Sequence, residues 1–265
     1  MISKIEAMRY AGLVNRKAIE LGFEVAKPGI KLAEIDTAME HFIRDANCTP
    51  AFKGYQPPGA PSQFPATACI SPNEVAVHGL PGDYVLKSGD LLTIDVGTER
   101  NGYYVDAARS KIIDWQNAEP YPSDAFRLLD ATDHIMDAQL ELVRDGCTFL
   151  ELTEVSESIA AQYSVIIMAQ WGGHAIGEKI HMDPFIPSSV DRTKSRLQQQ
   201  MEAARFAQQK LSAGQTICLE PVVTLGNSDI TVDGDGWTVR QSNGDLVAHT
   251  ERCLLVTKNG YEIIT

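Results

Sequence analysis

No run of 18 or more apolar residues occurs in this chain, which excludes a membrane-spanning helix. The N-terminus Met1-Ile-Ser-Lys-Ile-Glu6 lacks the basic stretch and apolar run of an export signal, so a soluble, cytoplasmic protein with no membrane partner is expected. Cysteine is scarce and poorly placed for pairing. The five residues, Cys48, Cys69, Cys147, Cys218 and Cys253, are scattered, odd in number and never in a Cys-x-x-Cys pair. That pattern indicates neither a disulfide framework nor a zinc ribbon and fits a reducing compartment. Positive charge is short as well. With 23 Lys and Arg against 35 Asp and Glu the net charge is -12, which disfavours nucleic acid as a partner because phosphate contacts need clustered basic side chains.

Core-forming residues and acids are plentiful. A chain of 265 residues with 44% hydrophobic content can bury a full core, and one domain over residues 1–265 is expected. Ser3-Lys-Ile-Glu6 forms a capping box, and Ile5, Met8, Leu13 and Ile19 predict an amphipathic helix to about residue 21. A second helix is predicted over 32–47. After a Pro-rich stretch, 49–65, come strands at 66–70, 89–97 and 103–113. Pro122-Ser123 opens another helix to about residue 144, followed by a helix over 150–162 and an apolar run over 165–169.

The pattern recurs residue by residue. Gly29-Ile-Lys-Leu-Ala-Glu-Ile35 lines up with Gly146-Cys-Thr-Phe-Leu-Glu-Leu152, and Gly89-Asp-Leu-Leu-Thr-Ile-Asp95 with Gly214-Gln-Thr-Ile-Cys-Leu-Glu220. Each half would deliver a carboxylate on a strand, six residues after a turn glycine. Two αα-β halves with acids on facing strands would build one central site.

Four carboxylates and one histidine stand in short, distinctive contexts: Asp95 in Thr-Ile-Asp-Val-Gly, Asp106 in Tyr-Val-Asp-Ala-Ala-Arg, His174 in Gly-Gly-His-Ala-Ile-Gly, Glu220 in Leu-Glu-Pro-Val and Glu251 in His-Thr-Glu-Arg. An oxygen-rich set with one imidazole suits two divalent ions of a hydrolytic centre. Asn101-Gly102 is a type I′ hairpin signal that pairs Gly97 with Asp106, so Asp95 and Asp106 become diagonal neighbours on one face. The apolar flanks Leu91, Leu92, Ile94 and Val96 argue that this face is buried rather than solvated. Asn243-Gly244 predicts a second hairpin feeding a strand over 246–257 that carries Glu251, a residue that could equally be an edge charge. Glu220 lies in an apolar run, where the alternative to ligation is a buried salt bridge. His174 reads as a loop histidine among Gly172, Gly173 and Gly177, with the four acids raising it to a ligand. His78 and His181 could donate to a carbonyl or oxyanion, or be ordinary turn and loop histidines.

The ordered set Asn73-Glu-Val-Ala-Val-His-Gly, Ile94-Asp-Val-Gly, Gly102-Tyr-Tyr-Val-Asp-Ala-Ala-Arg, Gly-His-Ala-Ile-Gly, Leu-Glu-Pro and His-Thr-Glu resembles the type I methionine aminopeptidases over nearly the whole chain. The resemblance implies the α/β pita-bread fold: pseudo-two-fold αα-β halves around a curved, mostly antiparallel sheet covered by helices. It further implies that Asp95, Asp106, His174, Glu220 and Glu251 hold two divalent ions (Co, Mn, Fe or Zn), one of which would bind the substrate's α-amine. By the same resemblance Glu220 shuttles protons, His181 steadies the oxyanion and His78 holds the substrate on the leaving-group side. Phe52, Tyr55, Phe64, Cys69, Ile180 and Trp237 would form an apolar pocket for methionine. The activity implied is removal of the initiator methionine from nascent polypeptides with a small second residue, by a monomer.

Three departures stand out. Ala175 replaces the family's glycine after the metal-binding histidine, the pocket segment is lengthened by Gln56-Pro-Pro-Gly-Ala-Pro-Ser62, and His249 replaces a glutamine two positions before the last glutamate. The longer segment leaves open an aminopeptidase with an altered first-residue preference. A metal-free binding module of the same fold is the rival from another class, against which the intact ligands argue. The Gln-rich, locally basic stretch 191–210 reads first as a solvated helix, with a ribosome or another partner as the alternative.

Overall fold

The computed structural model describes residues 3–60 and 62–265. Helix α1 (Lys4–Val25) starts at a reciprocal capping box: the Ser3 side chain accepts from the Glu6 amide, and the Glu6 carboxylate accepts from the Ser3 amide at 2.9 Å. Its buried stripe runs through Ala7, Met8, Ala11, Val14, Ala18 and Ile19. Leu13, expected on that stripe, is instead 41% exposed, because a 3.6-residue period places 11, 14 and 18 inward and 13 on the opposite side. Helix α2 (Leu32–Asp45) packs Ile35 and Met39 with α1 against Ile70, Leu92 and Ile94 of the sheet. Helices α3 (Ser123–Leu142) and α4 (Phe149–Tyr163) cover the second half, where Thr148 and Glu151 form a matching capping box.

The internal repeat is present in the hydrogen bonds. Gly29 donates its amide to Leu86 and Gly146 to Leu211, both at 2.9 Å, and bridges join Lys31 to Val85 and Thr148 to Lys210. Gly89 donates to Ile113 and Gly214 to Val256 in the same way. All four glycines have φ between 78° and 93°, which side-chain-bearing residues rarely adopt.

Every strand pairing described is antiparallel, and the ladder runs as four sheets of four, three, three and five strands. In the first half, Leu91–Arg100 and Tyr103–Ile112 form a hairpin with Gly97 opposite Asp106, turned by Asn101 (φ 53°) and Gly102 (φ 81°). In the second half the order is Gly260–Ile263, Arg252–Thr257, Thr216–Leu219, Gly172–Ala175, Met182–Pro187.

Two expectations are corrected here. Asn243-Gly244 makes a turn but no hairpin: Val239–Gln241 pairs with Ile230–Val232 and Val75–Val77, while Val247–His249 pairs with Val222–Thr224. The strand expected over 246–257 is broken at Thr250 and Glu251. It faces a matching break at Glu220 and Pro221, since Leu219 pairs with Arg252 on one side and Val222 with His249 on the other. Pro221 has no amide to donate, and the two breaks turn Glu220 and Glu251 out of the ladder together. Among the described residues no helix is long and apolar enough to cross a membrane.

Candidate metal centre

The hairpin brings Asp95 and Asp106 to one face, and the paired strand breaks bring Glu220 and Glu251 against it. Ligand atoms of Asp95, Asp106 and Glu251 lie within 4.8 Å of one another, as do those of Glu220, His249 and Glu251. His174 sits on the strand Gly172–Ala175 rather than in a glycine loop, with Nε2 3.8 Å from Glu220 and 3.9 Å from Glu251. The adjacent glycines serve the sheet. A Cβ on Gly173 would lie 2.1 Å from the Cys218 carbonyl oxygen, and one on Gly172 would lie 2.7 Å from that of Ile186.

Burial dominates the electrostatics. It pushes the Asp95 carboxyl up to about 7, although His249 pulls it back down. Asp106 and Glu251 are driven well above the carboxylate range, by burial first and then by the neighbouring acids. Asp95 Oδ1, Asp106 Oδ1, Glu251 Oε1 and His249 Nε2 are buried with no hydrogen-bond partner among the described residues. No Lys or Arg of those residues pairs with any of the four acids. Buried acids without a Lys or Arg counter-charge, clustered at ligand spacing and offering oxygen with imidazole, fit divalent cations.

Above this floor lies a cleft of about 380 Å³, walled by Phe52, Tyr55, Phe64, Cys69 and Trp237 together with Pro57, Val77 and Trp171. Phe64 and Trp237 meet edge to face at 5.1 Å, and Trp237 Nε1 donates to Ser62 Oγ at 3.2 Å. Ile180, expected in this pocket, lies behind the wall: it is buried and packs near Gly97 and Phe52. It lines a neighbouring cavity of about 400 Å³ instead. Trp171 was not foreseen, although it immediately precedes the Gly-Gly-His motif.

His78 follows the strand Val75–Val77 with a left-handed backbone (φ 56°) and meets Trp237 edge to face at 6.2 Å. Burial lowers its imidazole pKa. His181 meets His174 edge to face at 4.7 Å and places Nδ1 3.0 Å from the Tyr55 hydroxyl. Desolvation, then His174, pushes the His181 imidazole down to about 4, although its outer edge meets solvent, so the ring is neutral at physiological pH.

Comparison with known proteins points the same way. The model of metallopeptidase family M24 matches residues 6–258. The methionine aminopeptidase of Aquifex aeolicus is 31% identical over 263 residues, 99% of this chain and 96% of that protein. Methionine aminopeptidase 1 of Bacillus subtilis is 30% identical, over 97% and 94% of the two chains. The crystal structure of the Thermotoga maritima methionine aminopeptidase superposes with a TM-score of 0.85 at 28% identity, covering 100% of this chain and 97% of the other. A prolidase from Pyrococcus horikoshii shares the fold at a TM-score of 0.68 and 19% identity, over 99% of this chain and 61% of its own.

Proposed function

The chain belongs to metallopeptidase family M24, and from that premise we propose that it is a metal-dependent methionine aminopeptidase, releasing N-terminal methionine from polypeptides. The observation that carries the reading is the convergence of Asp95, Asp106, His174, Glu220 and Glu251 beneath an apolar cleft, with buried carboxylate oxygens that have no protein partner. We take residues 1–265 as one catalytic domain, acting as a cytoplasmic monomer on nascent chains with a small second residue. The mostly exposed helix α5 (Arg196–Phe206) is a solvated face in this reading, with the ribosome as the alternative partner.

Two cations, of Co, Mn, Fe or Zn, held by these five side chains would supply Lewis-acid polarisation of the scissile carbonyl and a water acidic enough to attack at neutral pH. Glu220, less buried than Glu251, takes a proton on its carboxylate and returns it to the departing amine. With the Tyr55 hydroxyl donating to Nδ1, the neutral His181 carries its proton on Nε2 and donates it to the carbonyl oxygen as negative charge develops. His78 holds the substrate on the leaving-group side. Phe52, Tyr55, Phe64, Cys69 and Trp237 bury the first side chain and exclude water from it.

One observation favours a second reading, an altered first-residue preference: Pro57, from the lengthened segment, enters the cleft wall. Reconstituted protein assayed on Met-Ala-Ser and on the matching Ala-, Leu- and X-Pro-peptides separates the two. The methionine reading predicts a kcat/KM for Met-Ala-Ser about tenfold or more above the others. Equal or inverted values would contradict it.

A further inference from the structure

His249 stands where the resembling family carries glutamine, and the roles assigned above leave it unused. Its backbone is held firmly. The His249 amide donates to Ser110 Oγ at 3.0 Å, its carbonyl accepts from the same hydroxyl at 2.8 Å, and it pairs with Val222 across the break that turns Glu220 out of the sheet. The residue is 2% exposed and lines the cleft floor. Its Nε2 is buried without a hydrogen-bond partner among the described residues, and the Glu220 carboxylate oxygen beside it lies at 3.5 Å, too far for a well-formed hydrogen bond. A ring nitrogen of His249 falls within 4.8 Å of ligand atoms of both Glu220 and Glu251.

A buried nitrogen left unpaired is unfavourable, and an imidazole facing two carboxylates across a short gap has the chemistry of a cation ligand. A glutamine amide there would offer a much weaker donor atom. We propose that His249 is a sixth protein ligand of the metal centre, joining Glu220 and Glu251 on one cation, so that two imidazoles rather than one contribute to the pair. The proposal rests on the reading of this cluster as a metal centre. Its consequence is selectivity: a second imidazole turns the centre towards zinc, cobalt and iron and away from manganese, which carboxylate and water suit better.

The test is titration of metal-free wild-type protein and His249→Gln with Co(II) and with Mn(II). Affinity and stoichiometry are read by calorimetry, and the cobalt coordination by its visible absorption. Restoring the family's glutamine is the mildest change at this site, and the unfolding midpoint of each metal-free protein reports whether the variant is folded. His249→Gln is expected to lose about ten- to a hundredfold in Co(II) affinity at one of the two positions, with an altered cobalt spectrum and a smaller change for Mn(II). A second measurement needs no variant: in wild-type protein with 15N-labelled histidine, Zn(II) is expected to displace the His249 Nε2 resonance together with those of the His174 ring. An unchanged cobalt affinity and spectrum in folded His249→Gln, or an Nε2 resonance that Zn(II) leaves in place, would overturn the role of His249. Absence of Co(II) binding by wild-type protein would overturn the metal-centre reading itself.

Discussion

The Tyr55 hydroxyl lies 3.0 Å from His181 Nδ1, with the two rings tilted against each other at 5.4 Å. This contact joins the lengthened segment to the imidazole proposed to face the scissile carbonyl; with the hydroxyl as donor, the ring proton sits on Nε2. The segment itself is pinched at its base, where Gly54 donates to the Phe64 carbonyl at 2.9 Å and Phe64 to that of Tyr55 at 2.8 Å. Tyr55→Phe removes one hydrogen bond and keeps the ring. It is expected to lower kcat/KM on Met-Ala-Ser about three- to tenfold, mainly through kcat, with metal affinity unchanged. Wild-type kinetics in this variant would mean that the tyrosine does not orient the histidine.

Gly173 gives a packing prediction. Its Cα approaches the neighbouring strand so closely that a Cβ would fall 2.1 Å from the Cys218 carbonyl oxygen, a backbone atom that cannot step aside. Gly173→Ala therefore prises Gly172–Ala175 from Thr216–Leu219 and carries His174 away from Glu220. The expected loss is about 2–4 kcal/mol of unfolding free energy by urea titration. Cation affinity should weaken with it, and an alanine variant with wild-type stability would contradict the close approach.

Removal of metal should make stability depend on pH in a defined direction. Burial raises Asp95 to about 7 and lifts Asp106 and Glu251 well above the usual carboxylate values, so the folded metal-free chain keeps protons that the unfolded chain, with carboxylates near 3.8 and 4.5, has released. A raised folded pKa gives stability that is complete below the unfolded value and lost as pH rises through the folded one. The lowered pKa values of His78 and His181 act only below about pH 6.5, where stability falls with falling pH. Between about pH 6.5 and 8 the carboxylates prevail, and the urea midpoint of metal-free protein is expected to drop as pH rises. Saturating Co(II) should flatten that slope; a metal-free midpoint that climbs over this window would count against the buried acids.

Much of this centre was legible before the fold was known. Asn101-Gly102 set the register that opposes Gly97 to Asp106, because a two-residue turn leaves no freedom in pairing. The aligned glycines, Gly29 with Gly146 and Gly89 with Gly214, marked the repeat because each needs a positive φ, a local demand that sequence carries directly. What sequence could not carry was non-local. Asn243-Gly244 has the same turn chemistry, yet its flanking strands pair with different partners. The glycines beside His174 read as loop, since nothing local reveals that a neighbouring backbone comes within contact of their Cα atoms. The facing breaks at Glu220 and Glu251 arise only when two strands from distant segments meet. The places of Trp171 in the cleft wall and of Ile180 behind it were likewise settled by packing.

Asp95, Asp106, His174, Glu220 and Glu251 are proposed to hold divalent cations. Anomalous diffraction from a crystal of the metal-free protein soaked in Co(II) tests this role most directly. Two anomalous peaks are expected among these five side chains, beneath the cleft lined by Phe64 and Trp237. A map with no peak there, or with cobalt only at surface acids, would contradict it.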